Sequence, residues 1–216
     1  MNQKTKQLTT IAMLSALAYI VMWVGRIPVV LFLKYDPKDV IITIGGFLHG
    51  PLSAFVISAL VSLVEMFSAS DTGVIGLLMN ILSTCAFSCT AAVIYKKKRT
   101  LSGAAIGLTA GVILMVVMML LWNYFITPLY MKTPRDVVAG MLLPVFLPFN
   151  LIKGILNAAL TMLLYKPVSK ALRRSGLMPA SASTAGSSRS RIGVTLVSLV
   201  LLATGILLVL VMQGKI

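Results

Sequence analysis

The sequence predicts an all-α integral membrane protein: a six-helix transmembrane bundle followed by a seventh, C-terminal transmembrane segment. Three observations predict it. Of 216 residues, 58% are hydrophobic and 11% charged, with a mean hydropathy of +0.99, whereas a soluble domain needs roughly a quarter of its residues charged to cover its surface. The apolar residues gather in runs close to the ~20 residues that cross a bilayer. Nineteen Lys and Arg against five Asp and Glu give a formal net charge of +14. In a soluble chain that excess points to nucleic acid. Here the basic residues lie mostly between apolar runs, where anionic head groups and topology explain them. The medium is a lipid membrane; a water-soluble enzyme and a nucleic-acid partner are both excluded.

The elements follow in order. The first span, residues 8–24, comes after Lys4 and Lys6 without a small-residue cleavage site, so it reads as a membrane helix rather than a signal peptide. Gly25, Arg26 and Pro28 close it. Residues 29–39 pass from apolar to sharply polar, and Pro37 breaks any helix there. A short second span, 40–48, meets a tight turn at His49, Gly50 and Pro51, and the third covers 52–67. Asp71, Thr72 and Gly73 mark a loop before the fourth, 74–95, which Lys96, Lys97, Lys98 and Arg99 stop. The fifth, 101–128, holds no charge. Lys132, Pro134, Arg135 and Asp136 form the next loop, and the sixth span, 145–165, follows Pro144 and contains Pro148. Residues 1–174 thus form the membrane domain and 175–191 a Ser-rich linker that cannot bury a core. Residues 192–216 carry the seventh span, whose run 192–212 is uncharged.

Basic residues orient the bundle. With a cytoplasmic N-terminus, inside segments hold ten: Lys4, Lys6, Lys96, Lys97, Lys98, Arg99, Lys166, Lys170, Arg173 and Arg174. Outside loops hold five, Arg26, Lys34, Lys38, Lys132 and Arg135, diluted by Asp36, Asp39, Asp71 and Asp136. The seventh span then puts the C-terminus outside.

Little reactive chemistry is visible. Cys85 and Cys89 stand one helical turn apart, in poor disulfide geometry, and a lone His49 offers no zinc or iron–sulfur ligand set. No phosphate-binding lysine loop, nucleophile elbow or HExxH helix occurs. The chain reads as a binder that relies on others for energy, without a cofactor. Polar residues at membrane depth therefore carry the function, because each is costly there. Asn150, Lys153, Gly154 and Asn157 share one helical face in the sixth span. Lys153 lies about 20 Å of helix from Lys166, too far to snorkel to that end. Asn123, between Trp122 and Tyr124, fits either an interfacial belt or a ligand-binding amide. Glu65, on one face with Ser58 and Ser62, fits a structural pair with a loop cation. Ala12 and Ala16, four apart, permit close approach of another helix.

Four segments together resemble the riboflavin-binding S component of energy-coupling factor transporters. They are LKYDPKD at 33–39 with the IGGFLHGP that follows, SLVEMFSASDTGVIGLLMN at 62–80, WNYFITPLYM at 122–131 and LPFNLIKGILN at 147–157. The resemblance covers about residues 8–170. It implies a six-helix bundle in a bacterial cell membrane with a cavity near the extracellular side. Such a bundle captures riboflavin as transported ligand and docks on a membrane T component driven by two cytoplasmic ATPases. It further implies that Asn123, Asn150 and Lys153 bind the flavin ring and that the loop at Leu33 and Lys34 closes over the site; Asn157, on the same helical face as Asn150 and Lys153, joins them as a substrate-binding candidate. Ala12 and Ala16 match its T-component docking motif. Glu65, Thr72 and Asn80 lie in matching segments without assigned contacts, and the seventh span has no counterpart in the pattern. An S component for another vitamin, and a free-standing facilitator, are the alternatives.

Overall fold

In the computed structural model, which describes residues 2–175, 177 and 188–214, the first apolar run is helix α1 (Gln3–Gly25). Its buried residues Ile11, Leu14, Ala18 and Met22 recur at three- and four-residue steps and face the bundle. Ile20, Trp23 and Val24 point outward. Extended backbone at Arg26 ends the helix and opens a two-stranded antiparallel hairpin, β1 (Ile27–Val30) and β2 (Leu33–Tyr35). Ile27 pairs with Tyr35, Pro28 with Lys34 and Val30 with Leu33, leaving Val29 as an extra residue in a bulge. No strand was anticipated here. β-Branched Val29 and Val30 with two flanking prolines, Pro28 and Pro37, exclude helix and leave extended chain.

Helix α2 (Lys38–His49) begins two residues earlier than the sequence placed it, and ten of its twelve residues are buried. At 1.5 Å per residue it is about 18 Å long, short of the ~30 Å hydrocarbon core. It is a central strut, packed by α1, α3 (Pro51–Ser68), α5 (Thr90–Lys97) and α9 (Leu147–Arg174). A Cβ at Gly46 would lie 2.9 Å from that of Ala92 and 3.0 Å from that of Ala54, so glycine is what lets three helices meet there. Gly50, at φ +98°, makes the turn into α3 that a side chain would strain.

Helix α4 (Gly73–Thr84) runs through one π turn, Cys85–Cys89, into α5 as a single 25-residue span. Both cysteines are free and half-buried, and the Cys89 thiol lies 3.6 Å from the Pro51 carbonyl. α6 (Leu101–Phe125) is capped by the Thr100 hydroxyl and stops before Pro128, which falls in a separate short helix, α7 (Thr127–Met131). α8 (Arg135–Met141) joins α9 through a second π turn, Leu142–Phe146. The sixth span thus starts nearer Arg135 than Val145. Pro144, inside this turn, cannot donate the ordinary intrahelical bond, and the wider turn accommodates the missing donor. α10 (Ser188–Met212) packs along α9 and reaches β1. Of the Ser-rich linker, residues 176 and 178–187 lie outside the described residues.

Among the described residues six helices are long and apolar enough to cross a membrane, α10 included and α2 excluded. Chain reversal puts the hairpin, the α3–α4 loop, α7 and the end of α10 at one end of the bundle. The turn at His49, the basic run after Tyr95 and the start of α6 lie at the other. There Phe47, Tyr95 and Tyr165 cluster, with the two tyrosine hydroxyls 2.8 Å apart.

Candidate functional site: a charge-balanced cavity under the hairpin

Lys38 and Asp39, assigned by the sequence to an outer loop, occupy the first turn of α2 and are fully buried. Charges at the start of a helix too short to span must lie inside the protein, and partners meet them. Glu65 on α3 accepts from both Lys38 and Arg26, so the cation expected for Glu65 is present twice. Arg26 also grips Asp36, at 2.7 and 3.1 Å, and Lys38 lies 3.5 Å from the same carboxylate. Burial pushes the Asp36 carboxyl up, but the charge of Lys38 and the hydrogen bond from Arg26 outweigh it and hold Asp36 below the usual carboxylate range. These contacts tie the base of the hairpin to α2 and α3.

A second set lies deeper. Asp39 accepts from Thr84 at 2.7 Å and from the Asn157 amide at 3.2 Å, and Lys153 approaches it at 3.4 Å. The Asn157 carbonyl takes the Tyr35 hydroxyl at 3.0 Å. Burial and the charges of Asp39 and Asp36 push that hydroxyl's pKa upward. Thr43 and Ser88, at the π turn of the α4–α5 span, pair at 2.7 Å beside the Asp39 carbonyl. Three cations, Arg26, Lys38 and Lys153, thus face three carboxylates, Asp36, Asp39 and Glu65. The buried set is formally neutral, which is the condition for holding charges away from water.

Above it opens a cavity of about 100 Å³. Its floor is polar: Lys153, whose ammonium is also 3.4 Å from the Ser83 hydroxyl, with Asn150 and Asn80. Asn150 donates to the Phe146 carbonyl at 2.7 Å, and its own carbonyl oxygen has no hydrogen bond among the described residues. The walls are Met79, Met119, Phe149, Phe32 and Tyr130. Phe32, at the hairpin tip, stands edge-on to Tyr130 with ring centroids 5.4 Å apart. Leu33 and Lys34 form the roof, and Lys34 pairs with Asp71 across the mouth. Hydrogen bonding to Lys34, with its charge, keeps the Asp71 carboxyl below its ordinary range.

Of the residues singled out by sequence, Leu33, Lys34, Asn150 and Lys153 come together around the cavity. Asn157 lies one turn deeper, in the Asp39 network. Asn123 is fully buried but turned into its own helix, donating to Met119 at 2.8 Å and accepting from Thr127 at 2.9 Å. Ala12 and Ala16 are exposed on the outer face of α1. Sequence reasoning missed Arg26, Asp36, Ser83 and the Met–aromatic walls. DPKD directly ahead of the nine-residue apolar run 40–48 was the signal for the charges. The walls had none, since apolar residues in membrane helices do not announce which face they line.

A larger crevice, about 370 Å³, separates α6, α9 and α10, but only Thr109 and Ser198 interrupt its apolar lining. It offers no amide or charge to orient a polar ligand. Among the described residues no group of three His, Cys, Asp or Glu could hold a metal ion.

The family model described as ECF transporter, substrate-specific component, matches residues 6–165. The riboflavin transporter RibU of Staphylococcus aureus (strain TCH60) is 31% identical over 182 residues, covering 80% of this chain and 95% of that protein. The riboflavin transporter FmnP of Bacillus subtilis (strain 168) is 30% identical over 180 residues, covering 75% and 91%. A solved S component of a bacterial ECF transporter superposes with a TM-score of 0.67 at 30% identity, covering 79% of this chain and 99% of that one.

Proposed function

The chain belongs to the substrate-specific component family of ECF (energy-coupling factor) transporters, and from that premise we propose that it is the riboflavin-capturing subunit of a vitamin importer. The observation that carries this reading is the neutral cavity with an amide and ammonium floor between methionine and aromatic walls. An isoalloxazine ring is flat, uncharged and edged with carbonyl and imide groups. An Asn carbonyl can accept from the imide, and the Lys153 ammonium can donate to a ring carbonyl. The walls supply apolar faces on which such a ring packs. The relatives named riboflavin transporters support the same ligand.

The cavity is smaller than the roughly 300–1,000 Å³ of ligand sites. Riboflavin therefore enters by outward movement of the hairpin that carries Leu33 and Lys34. Because the buried charges already cancel, a phosphorylated flavin would bring unpaired negative charge, and the site favours the free vitamin.

The protein binds and delivers rather than catalyses. The N-terminus is cytoplasmic, together with Lys96–Arg99 and Lys166, and the hairpin end faces outside. The exposed alanines Ala12 and Ala16 leave a smooth strip on α1 for a T component, which two ATPases drive. Absorption spectra and fluorescence titration of the purified protein test the ligand. Binding of riboflavin ahead of its phosphate, thiamine and biotin is expected. Preference for thiamine or biotin, or no binding of riboflavin, rejects the assignment.

A further inference from the structure

We infer that α10 is a latch on the β1–β2 hairpin that sets how fast ligand exchanges with the cavity. This rests on the hairpin being the moving roof, as proposed above, but not on the identity of the ligand.

Two strands of four and three residues cannot hold their own conformation in isolation. One side of the hairpin is tied to the bundle by Arg26, Asp36 and Tyr35. The other side is covered by α10. Val209 is buried in the same apolar cluster as Val29, Leu33 and Tyr35, with Phe149 and Ile152 of α9 beneath. Val29, the bulge residue, is buried on this side together with Leu33 and Tyr35. One turn further, the Gln213 amide donates to the Pro28 carbonyl, 185 residues away in sequence. The helix is held at that distance from the hairpin by its packing on α9. At Gly205 a Cβ would come within 2.5 Å of a Leu156 methyl, so glycine sets the close approach. The family match ends at residue 165, ahead of α10; the latch is an addition to the shared bundle.

Its effect is kinetic. The hairpin is closed over the ligand-free cavity and must close again over a bound molecule. α10 stabilises both closed forms alike, so it raises the cost of opening without favouring either. Loosening it accelerates entry and exit together and leaves the equilibrium constant nearly unchanged.

Two full-length variants in detergent test this. Gly205→Leu drives α10 off Leu156. The double variant Val209→Ala/Gln213→Ala keeps the Gly205–Leu156 approach of α10 to α9 but removes the two hairpin contacts, and so decides the matter if the first misfolds. Hydrogen exchange without ligand reads the hairpin directly. The backbone amides of residues 27 and 29–35 are expected to exchange on the order of tenfold faster, the factor for one lost apolar contact and one hydrogen bond, with α6 amides unchanged. Stopped-flow quenching of riboflavin fluorescence is expected to show both rate constants rising by a similar factor. Wild-type hairpin exchange in the double variant overturns the latch. Failure of the wild-type protein to bind riboflavin rejects the ligand assignment alone, because the exchange experiment needs no ligand.

Discussion

Replacing Lys153 with Met separates the two jobs the structure gives that residue. Its ammonium lies 3.4 Å from a carboxylate of Asp39 that is itself fully buried. At that distance and an effective dielectric near 20, the attraction is about 5 kcal/mol. Lys153→Met keeps the length and apolar volume of the side chain but leaves Asp39, among the described residues, with the neutral donors Thr84 and Asn157. Removing one partner of a buried pair costs about 3–5 kcal/mol, which for a chain of this size lowers the unfolding midpoint by roughly 10 °C. Adding Asp39→Asn removes the orphaned charge and is expected to return most of that loss. Affinity behaves differently. If the ammonium also donates to the ligand, single and double variants both bind riboflavin tenfold to a hundredfold more weakly, about 1–3 kcal/mol for one unpaired polar group. Thermal unfolding by intrinsic fluorescence and isothermal titration read the two quantities separately. An unchanged midpoint in the single variant refutes the buried-pair argument. A double variant that is stable and binds with wild-type affinity removes Lys153 from the ligand site.

Asn150→Leu takes away the unpaired carbonyl at the cavity floor and is expected to weaken riboflavin on the order of tenfold or more by titration. Ala16→Leu fills the exposed strip of α1, far from the cavity, so binding in detergent persists while uptake by cells carrying the transporter collapses; normal uptake would show that this face docks nothing. The carboxyl of Asp36 is held below its ordinary 3.8, so its contribution to stability is complete above that pH and is lost as the pH falls through the lower folded value. Midpoints measured from pH 6 down to 3 should fall at the acid end, and Asp36→Asn should flatten that limb.

Most of the fold was legible because membrane helices are written locally. An uncharged run of the right length has one economical solution in lipid, in which every backbone donor and acceptor is paired within the segment. The long spans, the tight turn at Gly50 and the polar face of Asn150, Lys153 and Asn157 follow from such local rules. The same rules failed where one residue had two environments available. Charge counting assigned Lys38 and Asp39 to a loop, since counting does not know that the helix they start is too short to reach water at both ends. The π turns escaped notice because nothing in residues 85–89 forbids an ordinary helix. Asn123 and Asn150 are alike as sequence, a lone amide in an apolar run. Both donate to the carbonyl four residues back, but the Thr127 hydroxyl takes up the oxygen of Asn123, while that of Asn150 is left at the cavity.

The sequence by itself determined the membrane class, the order of spans and the residues expensive enough at depth to demand a purpose, because burial in lipid is decided by composition over one helix length. Tertiary structure alone decided how those expenses are met. Asp39 reaches Asn157 across 118 residues and Tyr35 reaches it across 122, and Lys38 meets Glu65 across 27. Which cation neutralises which carboxylate, and which polar atom is left over for a ligand, depends on where separate helices cross. Each helix carries one side of the contact, and the contact exists only when the bundle closes around α2.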